Sequence, residues 1–85
     1  MRFAVIIEKG KRNYSAYSPD VPGCGAVGDT LREVKRLITE ALAFHFEGMI
    51  QDGDPLPKPT SLCCYAEVDL GEIKRLVRPK SRGSV

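Results

Sequence analysis

The stretch from Thr30 to Gly53 constrains this chain most. Leu31, Val34, Ile38, Ala41, Leu42, His45 and Met49 recur at three- and four-residue steps, the period that aligns side chains along one face of an α-helix. Leu37 and Phe44 widen the stripe, while Arg32, Lys35, Arg36, Glu40 and Glu47 fall on the other side. Thr30-Leu31-Arg32-Glu33 has the capping-box form, in which the Thr30 hydroxyl accepts from the Glu33 amide and the Glu33 carboxylate reaches back. Gly53 supplies the stop. The spacing predicts a helix over 31–52, about 33 Å long at 1.5 Å per residue.

Around this helix the pattern is that of strands. Residues 3–8 are β-rich, with Phe3, Val5 and Ile7 alternating onto one face. Lys9-Gly10-Lys11-Arg12-Asn13 reads as a hairpin turn, and Tyr14 to Ser18 as the return strand. Pro19-Asp20-Val21-Pro22-Gly23 breaks that strand, because two prolines fix φ and remove donors. Cys24 to Val27 reads as a third strand ending at Gly28-Asp29. After the helix, Pro55, Pro57 and Pro59 hold the connection extended. From Ser61 the period is two: Leu62, Cys64, Ala66, Val68 and Leu70 point one way, which predicts a half-buried fourth strand ended by Gly71. Ile73, Leu76 and Val77 then suggest one short amphipathic turn before Pro79.

The expected fold class is therefore α+β in the order β-β-β-α-β, a small mainly antiparallel sheet with one long helix on one face. Residues 1–70 form the domain and 71–85 a basic tail. One helix covers one face, so the second sheet face, with Ala4, Ile6, Cys63 and Tyr65 or their alternates, is left as a docking surface.

Size and charge add to this. A chain of 85 residues buries only about 60% of its unfolded surface. Stability at that size usually needs disulfides, metal or a partner, and Cys24, Cys63 and Cys64 make no disulfide framework. Association, as a homodimer or higher homo-oligomer, is the expected source. The net charge of +2 hides an asymmetry. Lys74, Arg75, Arg78, Lys80 and Arg82 stand against Glu72 alone at the C-terminal end, leaving the body mildly acidic. The tail is read either as a solubilising terminus or as a grip on nucleic acid or an acidic partner. No aromatic residue lies among its cations to stack on bases. The five-residue apolar run Phe3 to Ile7 is too short for a secretory or membrane segment. Few cysteines fit a reducing cytoplasm.

Catalytic constellations are weak. Cys63 and Cys64 are adjacent in an extended pattern and point to opposite faces, so they do not chelate jointly. Three Cys and one His include no pair with zinc-ligand spacing. A Cys24–His45 nucleophile pair oriented by Asp20 is conceivable, but His45 falls on the helix stripe. Glu8, Glu67 and Asp69 offer partial carboxylate convergence for a metal-dependent nuclease, with no fourth member. No metal, cofactor or catalytic residue is expected.

In combination the residues become specific. Tyr14-x-Ala16, Pro19-Asp20-Val21-Pro22-Gly23-Cys24, Gly28-Asp29-Thr30 with Glu33, Glu40-Ala41, Phe46-Glu47-Gly48-Met49, Asp52-Gly53 and Pro55-x-Pro57-x-Pro59 resemble the HicB family of antitoxins over residues 3 to about 70. The resemblance implies a partial ribonuclease H-like fold and a non-catalytic protein. It also implies a partner, a small RNA-cleaving HicA-like toxin whose catalytic His the antitoxin covers. An acidic body suits a cationic RNA-binding surface. The expected partner contacts are the Pro19-to-Gly25 loop, through Pro19, Asp20, Pro22 and Gly23, the sheet edge, and the acids near the helix end, Glu47, Asp52 and Asp54. Many HicB proteins continue into a DNA-binding domain. Fifteen residues follow Leu70 here, too few for one, so direct DNA binding is not the expectation.

Overall fold

A computed structural model describes residues 1–77. Strand β1 (Ile6–Lys9), β2 (Tyr14–Tyr17) and β3 (Gly25–Gly28) form an antiparallel sheet in the order β1-β2-β3. Helix α1 (Leu31–Asp52) packs on one face, and helix α2 (Leu70–Leu76) follows far along the chain.

Helix α1 has the bounds its sequence pattern sets. The Thr30 hydroxyl accepts the Glu33 N–H at 3.0 Å. The return arm of the box reaches one residue further than expected, with Glu33 Oε1 accepting from the Asp29 N–H at 2.8 Å. At the other end the Gly53 N–H donates to the Ile50 carbonyl and the Asp54 N–H to the Met49 carbonyl, at 3.1 and 2.9 Å, which satisfies carbonyls the helix leaves unpaired.

The β1–β2 turn closes through the Gly10 N–H and the Asn13 carbonyl at 2.7 Å. Register then stacks Ile7, Ala16 and Ala26 in one row across the three strands, facing the helix. Among the described residues, Ala16, Val21, Cys24, Val34 and Ile38 are the buried apolar ones, flanked by Phe3, Val5, Ile7, Leu42 and Phe46 among others. Phe3 and Phe46 meet with ring centroids 5.0 Å apart. Phe46 was outside the expected stripe, whereas Phe44 on its flank is exposed. The helix begins close against the sheet: a Cβ on Gly28 would lie 2.8 Å from the Val34 amide nitrogen, so only glycine permits this approach. The opposite sheet face carries Tyr17 and Val27, both exposed, and is left open as expected.

The expected fourth strand is not there. Residues 61–69 are extended but have no strand pairing, and all but Ser61 are exposed. Ser61, Leu62 and Cys63 share a cleft with Arg2 to Val5, and Leu62 to Tyr65 one with Val5 to Ile7, so the segment runs alongside β1 in the same direction. Among the described residues no backbone hydrogen bond joins the two. Their link is the Cys63 thiol to the Val5 carbonyl at 3.8 Å. Period-two patterning marks a segment able to bury one face, but a strand exists only when a neighbouring backbone completes its ladder.

Gly71, read from sequence as a strand stop, lies inside α2. The short helix expected there spans seven residues, with Asp69 accepting the Glu72 N–H at 3.0 Å as its N-cap. The domain boundary expected after residue 70 therefore cuts this helix. Among the described residues α2 touches no other element. The molecule extends 60 Å, with a radius of gyration of 19.1 Å against about 12 Å for a compact chain of this length. Residues 61–77 are an arm.

Candidate functional site

The Pro19-to-Gly25 loop is wound by two consecutive turns. The Val21 N–H donates to the Ser18 carbonyl at 3.1 Å and the Cys24 N–H to the Val21 carbonyl at 3.3 Å. Val21 is driven into the core, which anchors the loop and turns Pro22 and Gly23 outward. Gly23 sits at φ 82°, where a side chain is strained. This places the loop tip beside the C-terminal half of α1.

Between them lies a cleft of about 500 Å³, lined by Gly23, Cys24 and Gly25 on one side. Ala41, Phe44, His45, Gly48 and Met49 form its helical wall, and Asp52 and Asp54 its far end. Phe44 is 78% exposed. Gly48 presents no Cβ and keeps the wall shallow. The result is an apolar floor with an acidic end, a combination that accepts an aliphatic or aromatic anchor flanked by cations.

The residues expected to contact a partner divide. Gly23, Asp52 and Asp54 line this cleft. Pro19 and Pro22 are exposed on the loop, and Glu47 is exposed on α1 outside the lining. Asp20 is occupied within the chain. Its carboxylate accepts the backbone N–H groups of Ser61 and Thr60 at 2.8 and 2.9 Å and both hydroxyls at 2.9 Å. The Ser61 N–H is the largest cause that lowers its pKa below the ordinary carboxylate value; partial desolvation opposes it, and the Thr60 and Ser61 hydroxyls and the Thr60 N–H add to the lowering. Phe44, Gly48 and Met49 were not named as contact residues. Their signal was available in the helix, as apolar and small residues at one edge of the stripe next to two acids.

Cys24 and His45 do share the cleft, yet no hydrogen bond joins them among the described residues. Burial pushes the Cys24 thiol up, which makes the thiolate nucleophile scarce at neutral pH. Asp20 is turned to Ser61 instead of to His45. Glu8 lies on β1, while Glu67 lies on the arm and Asp69 caps α2. Among the described residues no group of three or more His, Cys, Asp or Glu side chains gathers as metal ligands. Cys24, Cys63 and Cys64 are free thiols. Among the tail cations, Lys74 and Arg75 are exposed on α2, with Arg75 paired to Glu72; Arg78, Lys80 and Arg82 lie outside the described residues. No helix among the described residues is long and apolar enough to cross a membrane.

Comparison with known proteins matches this architecture. A family model described as HicB_like antitoxin of bacterial toxin-antitoxin system covers residues 3–73. A 14.9 kDa protein from the rep-hol intergenic region of Haemophilus phage HP1 is 47% identical over 65 residues, which is 76% of this chain and 49% of the phage protein. The UPF0150 protein ssr1765 of Synechocystis is 37% identical over 57 residues, 66% of this chain and 72% of its own. A chain in a solved HicA3 and HicB3 toxin-antitoxin complex superposes with a TM-score of 0.61 at 32% identity, covering 69% of each chain. The chain thus spans about half the length of the phage relative.

Proposed function

The chain belongs to the HicB-like antitoxins of bacterial toxin–antitoxin systems, and from that premise we propose that it neutralises a small RNA-cleaving, HicA-like toxin by binding it directly and covering its active site. The observation that carries this reading is the cleft between the Gly23 loop and α1, where exposed Phe44 and half-buried Met49 adjoin Asp52 and Asp54. An RNA-cleaving toxin has a cationic substrate surface, and an acid-ended apolar cleft complements it in both charge and anchor chemistry. Binding and occlusion need no catalytic group on this chain, so its role is non-enzymatic.

The sheet-and-helix order supports descent from a ribonuclease H-like fold that has shed its metal carboxylates. Free thiols and an RNA-directed partner suit the cytoplasm. Copies of the chain associate, because a core of five buried apolar side chains among the described residues is small for a stable free monomer. Residues 1–70 carry toxin contact; DNA binding is not part of this reading.

The test is co-expression with a HicA-like toxin encoded beside the gene. Growth arrest by the toxin alone, relieved by this chain, is the expected result, with the two proteins co-purifying. Phe44→Asp, and separately the double change Asp52→Lys with Asp54→Lys, should abolish rescue while the variants remain folded. Rescue undiminished by either would show that the cleft is not the toxin site.

A further inference from the structure

The helical wall of the cleft is one stripe. Ala41, His45, Gly48, Met49 and Asp52 follow at three- and four-residue steps, so they share a face that leads to the acid end. Two features of this stripe find no use inside the chain. The first is Gly48. It lies within α1, where glycine is less stable than alanine, and no close packing requires it, since a Cβ there would meet nothing within 4 Å. Gly28 is the contrast, with backbone 2.8 Å from its Cβ position. What Gly48 leaves is a gap in the apolar wall one turn before Asp52.

The second is the charge at the end of α1. No basic residue stands in its last turn, although the C-terminal end of a helix favours cations and disfavours carboxylates. The salt bridges among the described residues join Arg36 to Glu40 and Arg75 to Glu72, so Asp52 and Asp54 have no ion pair there. The Gly53 and Asp54 N–H groups cap the Ile50 and Met49 carbonyls, but among the described residues no backbone N–H reaches those of Gln51 and Asp52. Pro55 stands where the donor to Gln51 would be and has no N–H. The helix therefore ends in two carboxylates and two carbonyls that the described chain supplies with no donor.

Resting on the toxin reading above and deepening it, we propose that one arginine of the toxin seats in this cleft, its aliphatic stem crossing Gly48 beside Met49 and its guanidinium meeting Asp52 and Asp54. Gly48 and Asp52 are one helical turn apart, about 6 Å, within the reach of one arginine side chain. Phe44 lies two turns back from Asp52, about 12 Å, so it receives an apolar neighbour of the arginine instead. Lysine is the poorer occupant. A guanidinium is planar, weakly hydrated and rich in donors, which suits several acceptors at the end of an apolar wall, whereas an ammonium is a compact, strongly hydrated point charge. The same acids repel the phosphates of RNA, which leaves the cleft to protein.

Calorimetric titration of the full chain with the HicA-like toxin encoded beside the gene tests the seat. Gly48→Gln should hold or raise the thermal midpoint, glutamine being the better helix former, and weaken toxin binding by about tenfold or more. Asp52→Asn combined with Asp54→Asn should also keep the midpoint and weaken binding by about tenfold or more. Each toxin arginine is then changed to lysine. One such change should weaken binding to the wild-type chain by about tenfold and add nothing against the asparagine variant, as coupled partners do. If the toxin binds but no arginine is coupled to the two acids, or Gly48→Gln binds as well as the wild type, the arginine seat falls and the toxin reading stands. A toxin that does not bind the wild-type chain overturns both. A lower midpoint in either variant assigns those residues to the fold and overturns the seat. Loss of a homo-oligomer in the asparagine variant, with toxin binding intact, gives the cleft to a second copy and overturns it too.

Discussion

The Asp20 carboxylate and the Ser61 backbone N–H, 41 residues apart in sequence, are joined at 2.8 Å. Through this bond and its companions to Thr60, the loop that shapes the cleft also fastens the root of the arm. One carboxylate thus ties the cleft loop to the arm.

Removing that carboxylate should free the arm without unfolding the body. In Asp20→Ala the amides of Thr60 and Ser61 lose their acceptor, and their hydrogen-exchange protection should fall while that of Val34 and Ile38 persists. Equal loss of protection at all four sites would show that the clamp supports the core as well.

The same group gives a pH dependence with a definite sign. Its folded pKa lies below the ordinary value, so its contribution is fully present above the unfolded pKa of about 3.9. That contribution is lost as pH falls from there through the folded pKa. An NMR titration should show the Ser61 amide moving with an inflection below about 3.9, and Asp20→Asn should remove that inflection.

Gly28→Ala should destabilise the fold by about 1–3 kcal/mol, the usual cost of forcing an extra methyl into a filled space. The new Cβ would meet backbone, the Val34 nitrogen at 2.8 Å and its Cα at 3.1 Å, and neither retreats without moving the first turn of α1. In a domain of this size that corresponds to a thermal midpoint lower by roughly 4–8 °C per kcal/mol, readable by circular dichroism.

Ser18→Ala should act in the opposite direction. The Ser18 hydroxyl is buried and without a hydrogen-bond partner among the described residues, a condition that costs about 1–3 kcal/mol. Deleting it should leave stability unchanged or raise it by about 1 kcal/mol in a urea melt, since the Ser18 carbonyl that receives the Val21 N–H is untouched.

Much of the body was legible from residue order. Helix α1 starts at Leu31 and ends at Asp52 as its caps and stripe require. The three N-terminal strands lie within a few residues of their expected places. Gly23, Asp52 and Asp54 line one cleft, a grouping of loop and helix end that residue order alone does not show. Phe44 and Met49 were legible as apolar but not as cleft wall, because a helical stripe wider than its sheet does not say which edge stays uncovered. Phe46 shows the converse: its burial depends on Phe3 arriving from 43 positions away.

The sequence by itself determined the elements whose hydrogen bonds close within a few residues and whose ends it marks: α1 with both caps and the Gly10–Asn13 turn. Only the tertiary structure decided the fate of 61–69, the employment of Asp20 and the composition of the cleft. The reason is the range of the bonds involved. A helix satisfies its backbone from its own neighbours, whereas a strand needs a partner that period-two alternation cannot supply. The β1 edge comes beside the arm without pairing to it, so the alternation of Leu62, Cys64 and Ala66 becomes an exposed arm.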